Sequence, residues 1–193
     1  MLKEIYMFGK DVEPFQILNF LDNQNFNKIL IDKKQYFNSD KRIYLNGTYS
    51  ESKIGIFTAV CDSIKNVLLE KGFNNPKVLD IEYIIHVEKR KYMPFHKHNF
   101  NFYIDPYKGY DPNNTFKTPF ESLWVAIFYP HNITDSKFQG KLVVKKAKDD
   151  EGVSFQAIPN SIIFHNALYG HEVYFEDKDH TQFRDVWVTQ WIC

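Results

Sequence analysis

The run Tyr92-Met93-Pro94-Phe95-His96-Lys97-His98-Asn99 places two imidazoles on either side of one lysine. Side chains alternate along an extended segment, so His96 and His98 would point to the same face. A third imidazole, His171 in Gly170-His171-Glu172-Val173, comes from a strand far along the chain. Two donors from one strand and one from a remote strand make a facial three-ligand set that leaves metal positions open. Arg184 follows on what reads as the next strand, where a guanidinium could hold an anionic co-substrate through its planar fork. The chemistry so indicated is that of an iron enzyme, with a histidine at position 98 where such a set usually carries a carboxylate.

These residues need rigid elements to hold them, and the pattern of the chain predicts mostly strands. Runs of β-favouring residues occupy 78–87, 99–104, 122–129, 140–146, 153–157, 161–165, 171–175 and 183–192, separated by Pro, Gly, Asn and Asp clusters. Before them the character is helical. Phe15, Ile17, Leu18, Phe20 and Leu21 suggest a short amphipathic helix over 14–26, opening after Asp11 or Glu13, and 28–32 reads as a short strand. The stretch 33–46 reads as polar and turn-rich. Ile54, Ile56, Phe57, Val60, Ile64, Val67 and Leu68 recur at helical spacing, so a long helix runs from Ser50 or Ser52 to Lys71, and Gly72 stops it. The expected architecture is α+β: a barrel or jelly roll over 77–193 with an N-terminal helical layer over 1–76, in one domain. The irregular stretch 105–119 would border the barrel mouth.

Composition narrows the partners. With 24 Lys plus Arg against 24 Asp plus Glu, the 193 residues carry no net charge, so no electrostatic attraction to nucleic acid or to an anionic membrane is expected. Basic runs such as Lys145-Lys146-Ala147-Lys148 read as solvated strand edges or loops. Cys61 and Cys193 have neither zinc-like nor redox-like spacing, and residues 1–6 lack an apolar signal core; both point to a cytoplasmic protein. Phosphate loops, nucleophile elbows and Cys-x-x-Cys pairs do not occur.

The ordered set over residues 78–193 resembles the 2-oxoglutarate and Fe(II)-dependent oxygenases, whose fold is a double-stranded β-helix. His96-Lys97-His98 stands where that family has His-x-Asp or His-x-Glu, His171 where it has the distal histidine, and Arg184 where it has a basic residue one strand further on. Phe128-Tyr129 followed by Gln139-Gly140-Lys141-Leu142, the segment 159–164 leading to His171, and the closing strand 184–191 resemble that family in the same order. The resemblance implies Fe(II) on His96, His98 and His171. It also implies 2-oxoglutarate anchored by Arg184, with a possible hydrogen bond from Tyr92. The reaction implied is C–H oxidation of a small-molecule or peptidyl substrate, coupled to decarboxylation of the co-substrate.

Position 98 is the departure. Either the site is three-histidine, or a carboxylate such as Asp105 or Glu121 completes it, or the barrel has lost its iron and serves as a binding module. A three-histidine cupin-like dioxygenase is the alternative that accommodates His98 directly; it would need no 2-oxoglutarate and would leave Arg184 without that role. Plainer readings stand beside the rest. His86, His131 and His180 are surface or core histidines. Arg184 could pair with Asp185 or Glu172, Tyr92 could be core packing, and Trp124, Trp187 and Trp191 fill the barrel or its helical backing. His165, six residues before His171, is a turn residue, a group behind the ligands or a group facing the substrate.

Overall fold

The computed structural model describes residues 12–36, 43–46, 55–86, 92–97, 123–130, 140–166, 169–175 and 184–193. Among the described residues ten strands and two helices follow in chain order. They are β1 (Phe15–Ile17), α1 (Asn23–Tyr36), β2 (Ile43–Asn46), α2 (Gly55–Glu70), β3 (Lys77–His86), β4 (Tyr92–His96), β5 (Leu123–Phe128), β6 (Gly140–Lys145), β7 (Val153–Gln156), β8 (Ile162–Asn166), β9 (Gly170–Phe175) and β10 (Arg184–Ile192). The strands form two antiparallel sheets, a large one in the order β1-β8-β5-β10-β3-β2 and a small one in the order β4-β9-β6-β7. From β3 onward the described strands alternate between the sheets, apart from the β6–β7 hairpin. That winding is a double-stranded β-helix, and with the two described helices packed on it the protein is α+β.

Alternation along the strands sorts the apolar residues into two cores. Val125, Ile127, Ile163, Val186 and Val188 of the large sheet meet Leu142, Val144 and Val173 of the small one. The opposite face of the large sheet carries Trp124, Phe128, Phe164, Trp187 and Trp191, which pack against Phe26 and Ile29 of α1 and Ile64 and Leu68 of α2. The three tryptophans therefore belong to the helical backing, and the space between the sheets is lined mainly by aliphatic side chains, with Tyr129 and Tyr169 among them. No described helix is long and apolar enough to cross a membrane.

The N-terminal region differs from the sequence expectation in its element boundaries. Residues 15–17 form β1, which pairs with β8, and Phe15 stacks on Phe164 with ring centroids 5.0 Å apart. The first helix starts later, where Asp22 caps it by accepting the Asn25 N–H at 2.8 Å. The run 28–32 lies inside that helix: Ile29 is buried while Ile31 is exposed, a helical period and not a strand period. Residues 43–46, expected in a turn-rich stretch, pair with β3. The second helix ends as expected. Gly72 adopts φ +86°, Phe73 N–H donates to Leu68 O at 3.0 Å, and Gly72 N–H donates to Leu69 O at 2.9 Å, a Schellman cap.

One residue ties the N-terminal segment to the barrel. Asn160, at φ +53°, accepts the Leu21 N–H at 3.0 Å and donates to Leu21 O at 2.8 Å, while its own carbonyl accepts the Phe20 N–H at 2.8 Å.

Candidate functional site

Strand pairing brings His96, at the end of β4, directly opposite His171, near the start of β9. Their rings meet edge to face with centroids 4.3 Å apart. Gly170 makes this approach possible. A Cβ there would collide with the His96 carbonyl and would lie 2.8 Å from both Lys97 Cγ and Phe95 Cε2. Gly170→Ala is expected to cost on the order of 1–3 kcal/mol by overpacking and to part His96 from His171. Thermal unfolding together with Fe(II) affinity checks this; a variant unchanged in both would show that β4 yields freely.

A third imidazole reaches the pair from the large sheet. His165, on β8, is fully buried, with its Nε2 3.3 Å from His171 Nδ1 and its ring centroid 5.4 Å from that of His171. Its Nδ1 lies 3.0 Å from Asn166 O. A carbonyl can only accept, so His165 Nδ1 bears the hydrogen and donates it. Burial, reinforced by the nearby His96, pushes the His165 pKa down to about 4, against the effect of the Asn166 carbonyl, so the ring is neutral near neutral pH. In a neutral ring protonated at Nδ1, Nε2 carries the lone pair, and it accepts from His171 Nδ1–H. His171 is thereby held in the tautomer whose Nε2 is the donor atom for a metal. The same logic applies to His96, whose Nδ1–H donates to Pro94 O at 3.0 Å.

The donor set is thus two imidazoles on facing strands, each presenting Nε2, a chemistry that fits a divalent transition metal. His165 stands behind them with both nitrogens engaged in hydrogen bonds. Consistently, no three His, Cys, Asp or Glu side chains among the described residues are arranged to hold a metal ion. His98, expected as the third ligand, lies outside the described residues, as do Asp105 and Glu121.

The other expected site residues are placed by backbone alone. Tyr92 opens β4 opposite Tyr174, four residues and about 13 Å along the strand from His96. Arg184 opens β10 opposite His86. The imidazole cluster lies toward the other end of β10: His165 pairs with Val125, and Val125 with Gln190.

Two features were not legible in the sequence. Lys145, read as part of a solvated edge, is buried and bonds Glu172 through Nζ–Oε1 at 2.8 Å, so Glu172 is engaged by Lys145. The available signal was weak: a lysine closing the apolar run Leu142-Val143-Val144 at the end of β6. The second is Gln190, a buried polar residue within the closing strand.

The fold matches solved structures across nearly its whole length. The chain is similar to a Pseudomonas putida prolyl-4-hydroxylase (12% identity, 99% of this chain and 95% of that one, TM-score 0.53). It is also similar to the viral collagen prolyl hydroxylase of Paramecium bursaria Chlorella virus-1 in its 2OG complex (11% identity, 94% and 95%, TM-score 0.57). A third is the non-heme alpha ketoglutarate dependent epimerase SnoN from nogalamycin biosynthesis (12% identity, 99% and 82%, TM-score 0.55). At these identities the likeness is one of fold, the double-stranded β-helix. Neither a protein-family model nor a curated protein matches the sequence.

Proposed function

We propose that this protein is a non-haem Fe(II), 2-oxoglutarate-dependent oxygenase that oxidises a C–H bond of a small-molecule or peptidyl substrate. The observation that carries the reading is the His96–His171 pair, two imidazoles presenting Nε2 from facing strands at one end of the barrel. Three solved structures of the same fold add weight, being named as hydroxylases or as an alpha ketoglutarate dependent epimerase.

In this reading His96, His98 and His171 hold Fe(II), which with 2-oxoglutarate and O2 supplies the oxidising power. The chain's own residues bind and orient. His165 is a positioning residue: by accepting the His171 Nδ1–H it fixes ring orientation and keeps Nε2 available. Arg184 receives the far carboxylate of 2-oxoglutarate. Arg184 opens β10 and would supply the guanidinium that pairs with that carboxylate. Tyr92 is a further hydrogen-bond donor to the co-substrate. The aliphatic lining between the sheets, Val125, Val144, Val173 and Val188, keeps water from the reacting centre.

The test is anaerobic titration of the metal-free chain with Fe(II) and then 2-oxoglutarate, watching for the visible metal-to-ligand charge-transfer band. The band is expected only with both ligands and is expected to vanish in His96→Ala and in His171→Ala. Arg184→Ala should retain iron and weaken 2-oxoglutarate binding by roughly 10- to 100-fold, the worth of a charge-assisted hydrogen-bonded pair.

The histidine at position 98 favours a second reading, a cupin-like three-histidine dioxygenase without 2-oxoglutarate. Iron binding with no response to 2-oxoglutarate and no effect of Arg184→Ala would select it. No iron binding at all would leave a barrel that acts as a binding module.

A further inference from the structure

Gln190 lies on β10 between Val188 and Ile192, whose side chains line or pack against the core between the sheets. The ladder sets it opposite Val125, which in turn is opposite His165. One row across three strands therefore reads His165, Val125, Gln190, with the imidazole cluster at one end and a carboxamide at the other. Gln190 is 9% exposed, and its buried Oε1 accepts no hydrogen bond from any described residue. A shut-in acceptor without a donor is costly, and the valines and isoleucine around it show that an apolar side chain fits the position. An unmet polar group facing the inter-sheet space, two strands across from the candidate reaction centre, is what a ligand-facing role requires.

We infer that Gln190 recognises the substrate, its carboxamide oxygen accepting the N–H of an amide-bearing molecule seated between the sheets beside His96 and His171. The inference rests on the oxygenase reading for which of two ligands bears the donor. 2-Oxoglutarate as a dianion offers only acceptors, so it cannot satisfy Oε1; the second ligand must bring the donor. A carboxamide also donates through Nε2, and the group complementary to both of its atoms is an amide with N–H and C=O. The terminal torsion of glutamine is broad, so the oxygen can turn toward such a ligand without backbone movement.

The probe is a matched pair, N-acetylalanine methylamide and its fully N-methylated counterpart, titrated into the full-length chain by ligand-observed NMR. The N–H form is expected to bind the native protein roughly tenfold more tightly, the worth of about one hydrogen bond, and that preference is expected to disappear in Gln190→Leu. Gln190→Leu replaces an unsatisfied polar group by an apolar one among valines, so its melting temperature should stay level or rise; this separates lost recognition from lost folding. Equal binding of the pair to the native protein, binding of neither, or a preference that survives in Gln190→Leu would overturn the assignment. A Gln190-dependent preference in a chain that forms no Fe(II)–2-oxoglutarate band would keep the amide site and remove the oxygenase reading. A band without the preference would do the reverse.

Discussion

Lys145→Met is expected to destabilise the protein by about 3–5 kcal/mol, because it leaves the carboxylate of Glu172 buried without its counter-charge. The pair is close, 2.8 Å from Nζ to Oε1, and the two side chains are only 8% and 6% exposed. Tyr174 donates its hydroxyl hydrogen to the same oxygen at 2.9 Å, and the ammonium lies 5.8 Å from the Phe95 ring centroid. The phenol and the ring cannot replace a full positive charge. Both residues point away from the inter-sheet core, since their neighbours Val144 and Val173 point into it. Combining Lys145→Met with Glu172→Leu removes both charges and should recover most of the loss, as replacing a whole buried pair by apolar side chains is often neutral. Urea unfolding followed by tryptophan fluorescence measures both variants. A single-variant loss below about 1 kcal/mol would mean the pair behaves as a surface bridge. Glu172 directly follows His171, so the same pair clamps β9 to β6 beside the candidate ligand.

The metal-free protein is expected to lose about 3 kcal/mol of stability through His165 as the pH falls from 6.5 to about 4. The sign follows from proton counts. In the unfolded chain the imidazole takes up a proton near 6.5, whereas burial in the folded chain delays this to about 4. Between those values the unfolded state binds more protons, so stability is full above 6.5 and declines toward about 4. Asp22, whose carboxylate is held below its ordinary value by the Asn25 backbone and side-chain hydrogen bonds, acts in the same direction but is unaltered in a His165 variant. His165→Gln does not titrate and retains an acceptor for His171 Nδ1–H, so its stability profile should be flatter by that amount while the His171 orientation is preserved. Parallel profiles for native and variant protein would show that His165 is not the neutral partner of His171. His165→Leu, which removes the acceptor, is the contrasting case, with Fe(II) affinity expected to fall by roughly 10- to 100-fold.

Local pattern carried most of the β-helix. Strands β5 to β10 fall within a residue or two of the β-favouring runs, because a strand buried on one or both faces must be written in Val, Ile and aromatic residues wherever it lies. The Gly72 stop was legible for a similar reason, a positive φ being nearly reserved for glycine. The N-terminal region was not. Phe15, Ile17, Leu18, Phe20 and Leu21 suit a helix as well as a strand, and pairing with β8, distant in sequence, decided for the strand. Pairing with β3 likewise made a strand of the polar-looking 43–46.

The site divides along the same line. By itself the sequence determined which side chains are available for chemistry, and the spacing of His96, His171 and Arg184 on separate strands was enough to order them along a barrel. That His96 and His171 face each other was decided by the β4–β9 register, for which Gly170 makes room. Only the tertiary structure turned His165 into the group that sets the His171 tautomer, put Lys145 against Glu172, and aligned Gln190 with His165 across Val125. Each of those relations joins different strands. Their distances are set by sheet register and packing, which no short stretch of sequence encodes.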